Sequence, residues 1–388
     1  MIREILQPKE KKVEYIELIY DLIFVYIIGR NNQLLHSFEN GFVTLPAFLV
    51  YVMSTLAIIQ IWNYSTYYIN VYGRHSIREH VFMFVNMFLL YFIGEGTRTD
   101  WQAYHTQYHI AWALILVNIG AQYLIELRNH QDKAETRKHT VQMAVILFIE
   151  AAMVASDILI YQTFGNTWMS LAAILFGLGA VTIFGQKNSA DVVDFSHLSE
   201  RAMLYVVFTF GEMIIAISSY FEEGFSVNGV YFALMAFLIV VGLFLSYGMF
   251  YDHIIDREKK TNGLSYMLLH IFLVFALNNI TNGLEFMREE EISLIPKILF
   301  LIGSMVLFFI CLLRLGSRHA KAGCSRYHLL YLKTGALSAA FIVLMLLLRE
   351  NMKINIFVTV AFVFALYLIL YRYGKRVDSA ESAKEQTE

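Results

Sequence analysis

Glu17 and Asp21 stand four residues apart in VEYIELIYDLIFVYII, a run otherwise dominated by large apolar side chains. On an α-helix that spacing puts both carboxyls on one face. Further on, Glu200 and Arg201 open a second apolar run, and Glu212 sits in its middle beside Gly211. A third run carries His270, Asn278, Asn282 and Glu285. Ionisable groups in hydrocarbon are costly unless they face protein or water. Such groups hold or pass an ion or a proton, or serve as acid–base groups on a substrate reached from lipid. The bland alternative is interhelical glue, typically worth under about 1–2 kcal/mol per hydrogen bond. Glu17, Asp21, Glu200, Arg201, Glu212, His270, Asn278, Asn282 and Glu285 are the candidate binding residues; no catalytic set stands out among them.

At 100° per residue, Glu14, Glu17, Asp21, Asn32 and His36 share a stripe, with Arg30 roughly opposite, beside Tyr26 and Gln33. Tyr205, Thr209, Glu212 and Ser219 form one face of the seventh helix. Tyr266, His270, Asn278, Thr281, Asn282 and Glu285 fill a little over half the circumference of the ninth, which suits a cavity wall; Asn279 points elsewhere. Other polar residues fall in the second helix (Asn63, Thr66, Tyr67, Asn70), the fourth (Asn118, Gln122, Glu126) and the fifth (Glu150, Asp157). His105 and His109 have a spacing that suits zinc. Glu95 and Asp100 are near them in the chain, but nothing completes a site, so no metal is expected. No P-loop, dinucleotide fingerprint or HExxH motif occurs, and no cofactor is expected. Cys311 and Cys324 do not form a disulfide framework.

The elements that must position these residues are membrane spans. Of 388 residues, 57% are hydrophobic and 16% charged, against about 45–50% and about 25% in soluble domains. The excess recurs along the whole chain, and 3 prolines leave no room for a Pro-rich linker. A span needs roughly 20 apolar residues. The pattern predicts twelve, near 16–36, 43–70, 79–96, 104–127, 139–161, 167–185, 199–221, 228–251, 264–286, 294–314, 327–348 and 353–373. The expected fold is an all-α polytopic membrane protein. With the N-terminus inside, 24 Lys and Arg fall in cytoplasmic segments and 4 outside. That bias puts both termini in the cytoplasm of a cell whose inner membrane holds the chain. Outer loops are acidic, at Glu222 and Glu223 and at Glu289, Glu290 and Glu291.

A shift of 183 residues aligns Glu17 with Glu200, Tyr68 with Tyr251, Arg74 with Arg257 and Gly120 with Gly303. This reads as two parallel six-helix repeats, 1–190 and 191–377, followed by a polar, unstructured cytoplasmic tail, 378–388. Six spans per unit is even, so the axis relating the repeats lies along the membrane normal.

Two stretches, VEYIELIYDLIFVYII at 13–28 and HLSERAMLYVVFTFGEMIIAI at 197–217, resemble the low temperature requirement A (LtrA) family. The first matches a Glu-Leu-aromatic-aromatic-Asp-Leu-hydrophobic-Phe-Val pattern through Glu17, Leu18, Tyr20, Asp21, Leu22, Phe24 and Val25, with Ile19 replacing one aromatic. The second matches a His-Leu-x-Glu-Arg segment and a Gly-Glu pair through His197, Leu198, Glu200, Arg201, Gly211 and Glu212. Trp62, Tyr266, His270 and Gly283 fit more loosely, while Arg30 and Asn31 depart from the pattern. The family name describes growth in the cold and implies architecture more than chemistry. A weaker likeness, at the level of fold alone, is to two-repeat lysosomal potassium channels, whose Phe-Ser-Asp motif is absent here. The leading expectation is a transport protein for an ion or small polar solute, proton-linked or channel-like, with the lipid bilayer and that solute as partners and no nucleic acid. The alternatives are a membrane-embedded enzyme using His270, Glu212 and Asp21 on a lipid-borne substrate, and a sensor or scaffold. The oligomeric state is open, with a homodimer among the options.

Overall fold

The computed structural model describes residues 12–74, 76–96, 101–129, 134–185, 193–221, 224–321 and 327–385. Glu222, Glu223 and Asp100 lie outside them. Twelve α-helices carry the described chain: α1 Tyr15–Asn31, α2 Leu45–Tyr72, α3 Ile77–Gly96, α4 Trp101–Asn129, α5 Ala134–Phe164, α6 Trp168–Gly185, α7 Phe195–Ala216, α8 Val227–Met249, α9 Leu264–Phe286, α10 Leu294–His319, α11 Tyr327–Leu347 and α12 Met352–Glu385. Ten helical segments are long and apolar enough to cross a bilayer, and α6 is a shorter apolar helix. The protein is an all-α polytopic membrane protein.

The lateral pattern of α1 shows why water cannot be its solvent. Glu17 and Asp21 are buried, while Tyr15, Ile19, Leu22 and Tyr26 are between 53% and 70% exposed. A soluble amphipathic helix does the reverse. The apolar stripe at i, i+4, i+7 and i+11 belongs against lipid tails.

Four local features depart from the sequence reading. The first helix stops at Asn31 and continues as a 3-10 turn, Asn32–His36. The 100° rule that put Asn32 and His36 on the acidic stripe no longer applies there. Between α1 and α2, Phe38–Glu39 pairs antiparallel with Phe42–Val43 around Asn40 and Gly41, at φ 52° and 80°. Two positive φ values mark a tight turn that Asn-Gly favours. After α8 the chain makes a π turn, Phe250–Ile254. The tail expected to be unstructured from Asp378 continues α12 through Glu385.

The chain divides into two compact units. The first comprises the residues up to Asn31, Val52–Tyr205 and Arg257–Met267; the second comprises Asn32–Tyr51, Val206–Asp256 and the residues from Leu268. In the first, α4 packs on α3 and α5, α5 on α6, and α1 on α3. In the second, α12 packs on α8 and α11, and α11 on α10.

Candidate functional site

In the first unit, Arg201 of α7 is fully buried between two carboxyls of α1. Its Nη1 is 3.2 Å from Glu17 Oε2, and its Nη2 forms a very short ion pair with Asp21 Oδ1. Trp62 Nε1 donates to the same Asp21 oxygen at 2.8 Å, and the indole stacks on Tyr205, centroids 4.1 Å apart. The second oxygen, Asp21 Oδ2, is buried and accepts no hydrogen bond from the described residues.

His197 is the member that residue-by-residue reading passed over, quoted only within the family motif. Its position follows from how α7 starts. Asp194 precedes the helix, and its Oδ1 accepts from His197 N at 3.1 Å, satisfying a free amide of the first turn. Asn70 of α2 clamps that cap: Nδ2 donates to Asp194 O at 2.8 Å, and Oδ1 accepts from Asp194 N at 3.1 Å. The amide orientation is thereby determined, so Nδ2 is also the donor to His197 Nδ1 at 3.1 Å. The neutral imidazole then carries its proton on Nε2, which faces Glu17 Oε2 at 3.6 Å. A cap, an amide and a buried imidazole thus aim an N–H at a buried carboxylate.

Glu200 does not join this cluster; its side chain is partly exposed. Arg30 pairs instead with Glu95 at 3.8 Å, both about a quarter exposed. A second polar layer lies beside the cluster: Tyr20 OH meets Ser65 at 2.9 Å and accepts from Asn86, which accepts from Asn118.

In the second unit the α9 stripe converges on one phenol. Tyr51 OH donates to Asn279 Oδ1 at 2.5 Å and accepts from Asn278 Nδ2 at 2.9 Å and Asn282 Nδ2 at 3.3 Å. Asn279, expected to point elsewhere, therefore belongs to the network. Asn282 Nδ2 also reaches Asn32 Oδ1 at 2.9 Å. His270 Nε2 meets Tyr247 OH at 3.0 Å, and Glu285 lies 3.8 Å from His36. Glu212 is partly exposed and forms no side-chain hydrogen bond or ion pair among the described residues. An open cavity of about 990 Å³ is lined by Tyr220, Arg288, Glu289, Glu290, Lys297 and Lys353 among others. The Arg288 guanidinium covers the Tyr220 ring at 4.1 Å. Tyr220 also lines a second hollow, of about 10 Å³, together with Met213, Thr281 and Glu285.

A family model described as "Bacterial low temperature requirement A protein (LtrA)" matches residues 12–369. No curated protein and no solved structure matches the chain.

Proposed function

Since the chain belongs to the bacterial low temperature requirement A family, whose name states a growth requirement and no reaction, we propose its chemistry from the buried charges. The protein moves a proton or a small cation across the membrane, and the Glu17–Asp21–His197–Arg201 cluster is where that charge is held in transit. The observation that carries this reading is Asp21 Oδ2, a buried carboxylate oxygen with no hydrogen-bond partner among the described residues, beside a guanidinium shared with a second carboxylate. A buried acceptor in that state is stabilised by a proton or a cation. His197 Nε2–H, 3.6 Å from Glu17 Oε2, turns a donor toward the second carboxylate and favours its charged form, leaving Asp21 as the group that takes up the proton or cation. Charged residues lining the open cavity of the second unit suit a vestibule for a polar solute. The Lys/Arg bias supports an inner-membrane location with cytoplasmic termini.

Proteoliposomes holding the purified protein test this, with H⁺, Na⁺ and K⁺ gradients imposed in turn. We expect flux of at least one of these ions above empty liposomes, lost in Asp21→Asn with helical content retained. Glu212→Gln should fold normally, because no partner is removed; loss of flux there would add Glu212 to the path. Wild-type vesicles no leakier than empty ones for all three ions, or full flux in Asp21→Asn, would falsify the proposal.

A further inference from the structure

His105 and His109 lie one turn apart on α4, and Asp157 of α5 comes between them. All three are at most 1% exposed. Asp157 Oδ2 is 3.2 Å from His105 Nε2 and 3.2 Å from His109 Nε2. Ser170, in the first turn of α6, adds a hydroxyl 2.7 Å from His109 Nε2 and 2.8 Å from the same Asp157 oxygen. Its backbone N–H donates to the other Asp157 oxygen at 3.3 Å. The sequence suggested Glu95 and Asp100 as companions for the two histidines; the third group comes instead from a position 52 residues away.

Counting protons shows what the cluster lacks. His109 Nδ1 is 2.7 Å from the carbonyl oxygen of His105, which only accepts, so Nδ1 carries the proton. A neutral His109 therefore turns the lone pair of Nε2 inward. Within the triangle of His109 Nε2, Ser170 Oγ and Asp157 Oδ2, three short contacts share the single hydroxyl proton. The remaining contacts set lone pair against lone pair. Either a second proton, on His109 Nε2, or a cation bonded to those lone pairs resolves them. His105 Nδ1 has no hydrogen-bond partner with or without such an ion, so it does not discriminate.

We propose that His105, His109 and Asp157 bind a divalent transition-metal ion of the zinc class. The donor atoms lie within 4.8 Å of one another. Tetrahedral zinc, with bonds of about 2.0–2.1 Å, separates its ligands by roughly 3.3 Å, close to the two 3.2 Å spacings observed. Two imidazoles and a carboxylate without thiolate suit zinc better than calcium or magnesium, which favour all-oxygen sets. The His109–carbonyl bond is the outer contact that orients a metal-binding imidazole. Ser170 is placed to hold a water in the fourth position. The ligands join two helices, α4 and α5, and Ser170 brings the start of α6 against them. Binding of the ion is independent of the proposed flux.

The test uses the full chain, purified in detergent with any affinity tag removed, supplied with zinc chloride and then dialysed against a weak chelator. Elemental analysis should find about one zinc per chain, falling below about a tenth of that in His109→Ala and in Asp157→Asn. Cobalt chloride added to metal-stripped wild type should give the visible absorption of tetrahedral Co²⁺, and zinc should raise the wild-type Tm. The wild-type measurements stand even if the variants fail to fold. Metal-free wild type with no cobalt spectrum and no shift in Tm would overturn the site and leave a hydrogen-bonded His–Asp–Ser network.

Discussion

Arg201 links two carboxylates of α1 from α7, and its removal should separate a structural role from a functional one. Removing one partner of a buried ion pair strands the other's charge and typically costs about 3–5 kcal/mol. Arg201→Met should therefore unfold in denaturant titrations at much lower concentration than wild type. The triple variant Glu17→Gln, Asp21→Asn, Arg201→Met removes every stranded charge and should regain most of that loss while remaining unable to carry charge. A single Arg201→Met as stable as wild type would mean that the ion pairs contribute nothing to folding. Glu17, Asp21 and Arg201 were legible in the sequence because a charge inside an apolar run has few tolerable explanations. Glu200 and Glu212 carry the same signal, yet Glu200 is partly exposed and Glu212 has no side-chain partner among the described residues. Residue type shows that burial would be costly; it does not show which side chain is buried. Asp157 was equally visible as an acid in a span. Its pairing with His105 and His109 was not, because that pairing depends on how α4 and α5 pack.

The helices themselves were readable because lipid demands about 20 apolar residues per crossing; each of the twelve expected spans corresponds to a helix, and ten of them are long and apolar enough to cross, α1 and α6 being shorter. Their ends were less so. Asn40-Gly41 is a strong turn signal, but in a loop of six residues between two spans it predicts only a turn, and the two-residue strands flanking it carry no periodicity. The π turn at Phe250–Ile254 leaves no mark in composition either. It brings His253 Nδ1 to 3.0 Å from Asp378 Oδ2, which helps explain why α12 continues as helix where polarity suggested a loose tail. The α9 stripe was visible as a face, whereas its focus on Tyr51 was not, since that phenol belongs to a helix more than 200 residues earlier. Tyr51→Phe leaves buried amides of Asn278 and Asn279 without this partner. It should destabilise the protein by about 1–3 kcal/mol, the usual loss when a buried polar group goes unsatisfied. Chemical denaturation in detergent measures this, and an unchanged midpoint would show that water replaces the phenol.

At the scale of the whole molecule, orientation and repetition are coupled. The 183-residue shift expected from matched residues makes a testable claim about local structure too. α1 ends in a 3-10 turn, Asn32–His36, and α7 ends in another, Ile217–Phe221. Gly41 follows the first at φ 80° and Gly224 the second at φ 97°, and these glycines are 183 positions apart. α2 begins at Leu45 and α8 at Val227, again near that spacing. Parallel repeats with an even number of spans must put equivalent turns on the same side of the membrane, whereas an inverted repeat puts them on opposite sides. Single cysteines introduced at Asn40 and Phe225, in a background lacking Cys311 and Cys324, should therefore both react with an impermeant thiol reagent on intact cells. Cysteines at Arg74 and Arg257, also 183 apart, should react only after permeabilisation if, as the Lys/Arg bias predicts, that side is cytoplasmic. Reaction at Asn40 but not at Phe225 would eliminate the parallel repeat. Reaction at Arg74 and Arg257 with protection of both turns would retain the repeat and reverse the orientation.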